Sequence, residues 1–339
     1  MKIAIFSYSR QGCETAKKVF AALEDEKCRL YAPGRVCDVG FEIIPSPGER
    51  LYAELFAQCD AMVFVCSCGI AVRCIAPYVK SKTEDPAVIV VDERAEHVIP
   101  LLSGHIGGAN MLARQLAESI GAEAVISTAT DINGRFSVDA WAAQKGFAIS
   151  DLSLCKTVSA AILERDIPLS TDFPLMSSLP NGLVMGDCGK LGIYIGWDER
   201  QPFDKTLRLV PRCLSLGIGC RRGTSMEAIE FAVDSVIKEN GIDRRAITSA
   251  ASIDLKADEQ GLLDYCRKAG MDIDFYSASE LEKVQGTVSE SAFVKSITGL
   301  DNVCERAALI NADKLIVKKT AINGVTVALA AKMGGLSFD

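Results

Sequence analysis

The chain has 339 residues, 49% of them hydrophobic and 24% charged, which suits a soluble globular protein of two or three domains. A formal net charge of -7 argues against general nucleic-acid binding, so an anionic ligand must meet a local basic patch. No apolar run reaches membrane-spanning length, and thirteen scattered cysteines read as the reduced thiols of a cytoplasmic protein, not as a disulfide framework or a zinc site.

The opening KIAIFSYS reads as a first strand, its apolar stretch too short for a signal peptide. The loop Ser7 to Gly12 joins it to the helix CETAKKVFAALE, where flavodoxin-like folds place phosphate or substrate contacts; an ordinary helix start gives the same pattern. A strand near CRLYA, the helix GERLYAELFAQ and the strands AMVFVCS and AVIVVD continue the rhythm of a parallel α/β sheet. Cys66, Cys68 and Cys74 cluster along this stretch, and core packing explains them better than metal binding. Asp92 and Glu93 end a strand, where either a site carboxylate or plain surface charge fits. His97 sits on the next strand, EHVIPLL. The run LLSGHIGGAN, Leu101 to Asn110, then places His105, one of only two histidines, in a glycine turn that opens the helix ANMLARQLAESIGA. Gly104, Gly107 and Gly108 let the backbone turn tightly near a ligand, and the free amides of the helix start favour a carboxylate or oxyanion; a packing turn is the alternative.

From about Trp141 to Pro211 proline and glycine interrupt the pattern, and the short strands GLVMG and LGIYIGW suggest a small middle domain or a hairpin. Alternation returns with strand CLSLGIG, helix SMEAIEFAVDSVIKE, strand AITSAA, helix DEQGLLDYCRKAG, strand DIDFYS, helix DNVCERAALINA and strands KLIVKK and GVTVALAA. The expected division is an N-terminal α/β domain over 1–140, a middle segment over 141–211 and a second α/β domain over 212–339. Ile229, Val233, Val236 and Ile237 form the apolar stripe of its first helix. GIGCRRGTS has the wrong spacing for a dinucleotide fingerprint, and no acidic residue ends the following strand, so it reads as an anion-binding turn. Arg221 and Arg222 add positive charge there, and Thr224 or Ser225 caps the helix.

Several long segments resemble one family: GIAVR, IAPYVKSKTEDPAVIVVDE, LLSGHIGGAN, TATDINGRFSVD, LSLGIGCRRGTS, ASIDLKADEQGLLDYC and SAFVKSITGLDNVCERAAL. Together they are similar to the CbiG family, cobalt-precorrin-5A hydrolases of anaerobic cobalamin synthesis, and the C-terminal part is similar to CobE. The resemblance implies a cobalt-bearing macrocyclic polycarboxylate as substrate, no further cofactor, and contact with neighbouring pathway enzymes. The δ-lactone is opened and the meso carbon leaves with its methyl as acetaldehyde. His105 is then the expected general base, with the Gly107 and Gly108 amides as an oxyanion hole. Arg73 and Lys82, which recur in the family pattern, together with Gly104 and Asn110, are expected to bind substrate; Lys80 reads as solvated. Lys256, Glu259 and Glu305 match the CobE-like pattern; Lys256 and Glu259, with Arg221, Arg222 and Thr224, are expected to bind substrate, and Glu305 to act in catalysis. Glu305 is either a raised-pKa acid or a solvated helix glutamate, and Ser296 and Thr298 are weaker candidates. The expected site lies between the N- and C-terminal domains. The alternative function is a non-catalytic tetrapyrrole carrier or pathway chaperone.

Overall fold

A computed structural model describes residues 1–23, 26–81, 84–105, 107–284 and 302–338. Its contacts divide the chain into Met1–Gln144 and Lys145–Asp339. No described helix is long and apolar enough to cross a membrane.

The first unit is built on a seven-stranded sheet: β1 (Lys2–Ser7), β2 (Lys27–Pro33), β3 (Phe41–Ile44), β4 (Ala61–Val65), β5 (Ala87–Val91), β6 (His97–Leu102) and β7 (Glu123–Ala124). They lie in the order β3-β2-β1-β4-β5-β6-β7. All five residues of β4 (AMVFV) and of β5 (AVIVV) are buried, as central parallel strands covered on both faces require. On one face Ile5, Val63, Ile89 and Val98 pack under Ala113 and Leu116 of the helix Ala109–Ile120. Leu116 alone, fully buried there, contributes about 2 kcal/mol of transfer free energy. On the other face Phe6 stacks on Tyr31 and Phe64, with ring centroids 5.2 and 4.8 Å apart.

The direction of β6 decides where the glycine turn goes. It runs antiparallel to β5, with Val91 opposite Val98 and Val88 opposite Leu102. The chain therefore leaves β6 beside the amino ends of the parallel strands. The Ser7–Gly12 loop and the Asp92–Glu93 pair sit at their carboxyl ends.

The second unit carries two five-stranded sheets. The smaller contains β8 (Ala148–Ile149), β9 (Ile167–Thr171), β10 (Leu183–Met185), β11 (Gly192–Ile195) and β12 (Thr206–Val210), in the order β10-β9-β11-β12-β8. GLVMG and LGIYIGW do not form a hairpin: β9 lies between β10 and β11, and all three run parallel. The larger contains β13 (Leu214–Cys220), β14 (Ile247–Ile253), β15 (Asp272–Tyr276), β16 (Lys314–Ile322) and β17 (Val325–Ala331), in the order β15-β14-β13-β17-β16. Ile229, Val233, Val236 and Ile237 are buried on helix Met226–Glu239, as their spacing predicts. A triad of Arg208, Asp243 and Arg245 ties the end of the smaller sheet to the start of β14, with Arg208 and Arg245 at 2.9 and 2.6 Å from the buried Asp243 carboxylate.

Candidate active site

The turn after β6 is closed by its own backbone. The amides of Gly108, Ala109 and Asn110 donate to the carbonyls of His105, Ser103 and Gly104. Gly108 takes a left-handed φ of 79° at the helix start, and a β-carbon at Gly107 would lie 2.4 Å from the Ser103 side chain. The glycines thus permit a compact turn, and the Gly108 amide is spent inside it, so it does not serve the expected oxyanion hole.

That turn delivers His105 between two carboxylates. Its Nε2 lies 3.1 Å from Asp131, on the short helix Ala129–Ile132, and its Nδ1 lies 3.3 Å from Asp139, in the first turn of helix Val138–Gln144. Thr130 and Ser137 hydroxyls stand 3.3 and 3.2 Å from the same two nitrogens. Asp139 is held in place by the Ala140 amide and the Ser137 hydroxyl, while Val138 and Trp141 bury the base of its helix. Asp131 also receives the Asn110 amide at 3.1 Å and the Arg114 guanidinium at 2.7 Å. The Asn110 side chain donates further to Thr128 at 2.7 Å.

The electrostatics follow from this clamp. The hydrogen bond to Asp139, opposed by burial and reinforced by Asp131, raises the His105 pKa above its ordinary value. Burial pushes both carboxyls up, but hydrogen bonds outweigh it: from His105 and Thr128 to Asp131, and from His105 and Ser137 to Asp139. Both therefore sit below the usual carboxylate range. The clamp thus favours the imidazolium form of His105 and the ionised form of both aspartates, a pairing suited to giving a proton as well as to taking one.

Two clefts meet at this cluster. One, of about 300 Å³, is lined by Leu102, Gly104, His105, Asn110, Thr128 and Asp139. The other, of about 430 Å³, includes Gly107, Gly108, Met111, Arg114, Asp131 and Ser137 along with His105. Asp131, Asp139 and Arg114 were not among the expected site residues, although both aspartates lie in the segment TATDINGRFSVD.

The remaining candidates separate from this cluster. Arg73 is exposed and folds back to the Gly69 carbonyl at 3.1 Å, lining neither cleft. Lys82 lies outside the described residues, as do Ser296 and Thr298. The backbone amide of Lys80 donates to Asp85. Asp92 is consumed by a tight turn, accepting the amides of Arg94, Glu96 and His97, and the Glu93 carboxylate accepts from Ser9 at 2.6 Å. His97 is half-exposed beside Asp92. Cys66 is buried after β4, its thiol pushed up to about 12 by burial, and Cys68 opens the next helix, so the two do not share a strand face. No group of three or more metal-binding side chains occurs among the described residues.

In the second unit, the GIGCRRGTS turn already holds an anion of its own. Glu259 accepts the Gly223 amide at 3.0 Å and pairs with Lys256 at 3.2 Å, which keeps its carboxyl below the usual range. Ser225 caps the helix, the Thr224 hydroxyl donates to the Arg221 carbonyl, and Arg222 faces Asp258 at 3.3 Å in solvent. Glu305 is fully buried on helix Val303–Leu309 and accepts the Lys319 amide at 2.7 Å, which excludes the solvated reading and ties its carboxylate to the backbone of β16. Arg221 and Lys256 face another cleft, of about 380 Å³, which Lys319 and Asn302 also line.

Comparison with known proteins places the chain in a family. Residues 50–131 match the model "Cobalamin synthesis G N-terminal" and residues 214–330 match "Cobalamin synthesis G C-terminus". A cobalt-precorrin-5A hydrolase from Salmonella typhimurium is 32% identical over 96% of this chain and 97% of its own. One from Priestia megaterium is 28% identical over 96% of this chain and 94% of its own. Protein CobE from Sinorhizobium sp is 31% identical over 34% of this chain and 79% of its own. The first family model includes the turn that carries His105, and the second spans the sheet that carries Arg221, Lys256 and Lys319. With near-complete coverage at this identity, the chain belongs to the cobalt-precorrin-5A hydrolase family.

Proposed function

We propose that this chain hydrolyses cobalt-precorrin-5A, with the Asp131–His105–Asp139 cluster as its acid-base unit. The observation that carries the assignment of roles is the His105 ring held between two carboxylates where two clefts meet. The kinship to hydrolases over nearly the whole chain supports the reaction.

Opening the lactone adds water to its carbonyl carbon and breaks the bond to the ring oxygen. That oxygen leaves as an alkoxide and needs a proton. His105, whose charged form its two neighbours favour, donates it from Nε2 or Nδ1 and is left as a neutral imidazole, while the proton lost from the attacking water passes to solvent and the freed acid stays a carboxylate. The freed hydroxyl sits on the carbon that departs. Removal of its proton by neutral His105 turns the C–O bond into the carbonyl of acetaldehyde while the adjacent carbon–carbon bond breaks and its electrons pass to the conjugated macrocycle. The cobalt belongs to the substrate and assists there as part of the electron sink. Asp139 fixes the ring orientation from Nδ1, and Arg114 and Asn110 hold Asp131 in place.

Incubating the protein anaerobically with cobalt-precorrin-5A and measuring acetaldehyde through coupled NADH oxidation tests the reaction. Stoichiometric acetaldehyde is the expected result. Tight binding of the macrocycle with no acetaldehyde would replace the hydrolase with a carrier.

A further inference from the structure

The cleft in the second unit has features that the fold alone does not use. Three cationic side chains line it: Arg221 after β13, Lys256 after β14 and Lys319 on β16. Lys256 is engaged by Glu259, but neither the Arg221 guanidinium nor the Lys319 ammonium has a hydrogen bond or ion pair among the described residues. Between them the wall is apolar, formed by Ile253, Val303 and Ala321. Asn302, fully buried, belongs to the same wall. Its Oδ1 accepts the Glu305 amide at 3.3 Å, which fixes the orientation of the side chain and leaves Nδ2 as a buried donor with no acceptor among the described residues. A buried donor and two cations beside an apolar wall are an unusual combination for a surface that binds nothing, because each asks for an acceptor that the described residues do not supply.

We propose that this cleft is a carboxylate-binding site that takes the edge of a planar, largely apolar ring bearing acetate or propionate arms, with Arg221, Lys256 and Lys319 on the carboxylates and the ring edge against Ile253, Val303 and Ala321. Guanidinium and ammonium groups around an apolar floor match a ring whose charges sit on flexible arms at its rim. The Gly223 amide of the GIGCRRGTS turn is not part of the site, because Glu259 already takes it. The proposal rests on the macrocyclic substrate of the preceding reading only for the identity of the natural ligand. The site is separate from the His105 cluster in sequence and in residues.

The test uses the full chain and uroporphyrin, an octacarboxylate ring that carries no lactone, followed by porphyrin fluorescence at several salt concentrations. Saturable binding that weakens with salt is expected. It should weaken about tenfold or more in a protein carrying both Arg221→Ala and Lys319→Met, as when charged contacts are lost. Lys314→Met, which removes a charge from the same strand outside the cleft, and His105→Ala should bind like the unaltered chain, with every variant shown to be folded by a cooperative thermal transition above the assay temperature. No saturable binding, or equal affinity in the double variant, overturns the proposal. A loss of uroporphyrin affinity only in His105→Ala overturns it too, by moving the ligand to the other unit. Acetaldehyde release does not enter this readout, so the hydrolase reading and the binding site stand or fall separately.

Discussion

Two glycine turns that join a strand to a helix look alike in sequence and are used differently. Leu101 to Asn110 closes on its own carbonyls and projects His105 into a pair of carboxylates. Gly217 to Ser225 is also compact, but its open amide at Gly223 is taken by Glu259 from the next strand connection. A glycine turn says only that backbone comes close to something. Whether that something is a ligand depends on which side chains the rest of the fold brings to it, and the histidine of the first turn receives two carboxylates where the second turn receives its own internal anion.

The largest expected effect separates the two turns by activity. His105→Ala should lower acetaldehyde release by about 10² to 10⁴, the usual contribution of a positioned acid or base, while Glu259→Gln changes turnover far less. Equal losses in the two would dissolve the distinction.

Titration sharpens the comparison further. Because only two histidines are present, nitrogen NMR can follow each ring. The His105 pKa is raised in the folded chain, so its ion pairs stabilise the fold fully below about pH 6.5, the ordinary histidine value, and that contribution fades as pH climbs through the raised pKa. The pKa values of Asp131 and Asp139 are lowered, so their contribution is present above about pH 3.9 and is lost as pH falls through the folded values. Asp139→Asn should bring His105 down, since burial then opposes the charge with one partner fewer. An unchanged titration would show that Asp139 does not hold the proton.

Smaller effects probe the turns as structure. Gly107→Ala forces a β-carbon against Ser103 and should cost about 1–3 kcal/mol in urea unfolding. Glu259→Gln should cost about 1–2 kcal/mol, the scale of a charge-assisted hydrogen bond to the Gly223 amide. Ser9→Ala removes the cap that accepts the Gly12 amide in the loop at the opposite end of the first sheet; about 1 kcal/mol is expected there, with turnover unchanged. A large loss of turnover in Ser9→Ala would return that loop to the list of site elements.

Local pattern carried much of the architecture. The apolar runs of β4 and β5 and the stripe of helix Met226–Glu239 are legible because burial repeats at the period of the element. β3 is not, since only Ile44 of its four residues is buried and an edge strand needs little apolar signal. Helix Leu152–Glu164 carries Cys155, Val158 and Ile162 on one buried face, a signal diluted by the proline and glycine that follow. The site was legible only as far as His105 and its turn. Asp131 lies 26 residues further on, and nothing in a one-dimensional pattern shows that its short helix folds back to Nε2. The reversed direction of β6, a property of the assembled sheet, explains why Asp92 and Glu93 end up away from the histidine. Glu305 shows the converse: its place beside an apolar helix face was readable, but its bond to the Lys319 amide was not.

The most direct test of the acid-base cluster is single-turnover acetaldehyde formation from bound cobalt-precorrin-5A by the unaltered chain and by Asp139→Asn, with substrate affinity measured in parallel. Affinity retained with acetaldehyde formation slowed at least about a hundredfold is the predicted result. Acetaldehyde at the unaltered rate from the bound variant would contradict it and take the chemistry away from His105 and its two carboxylates.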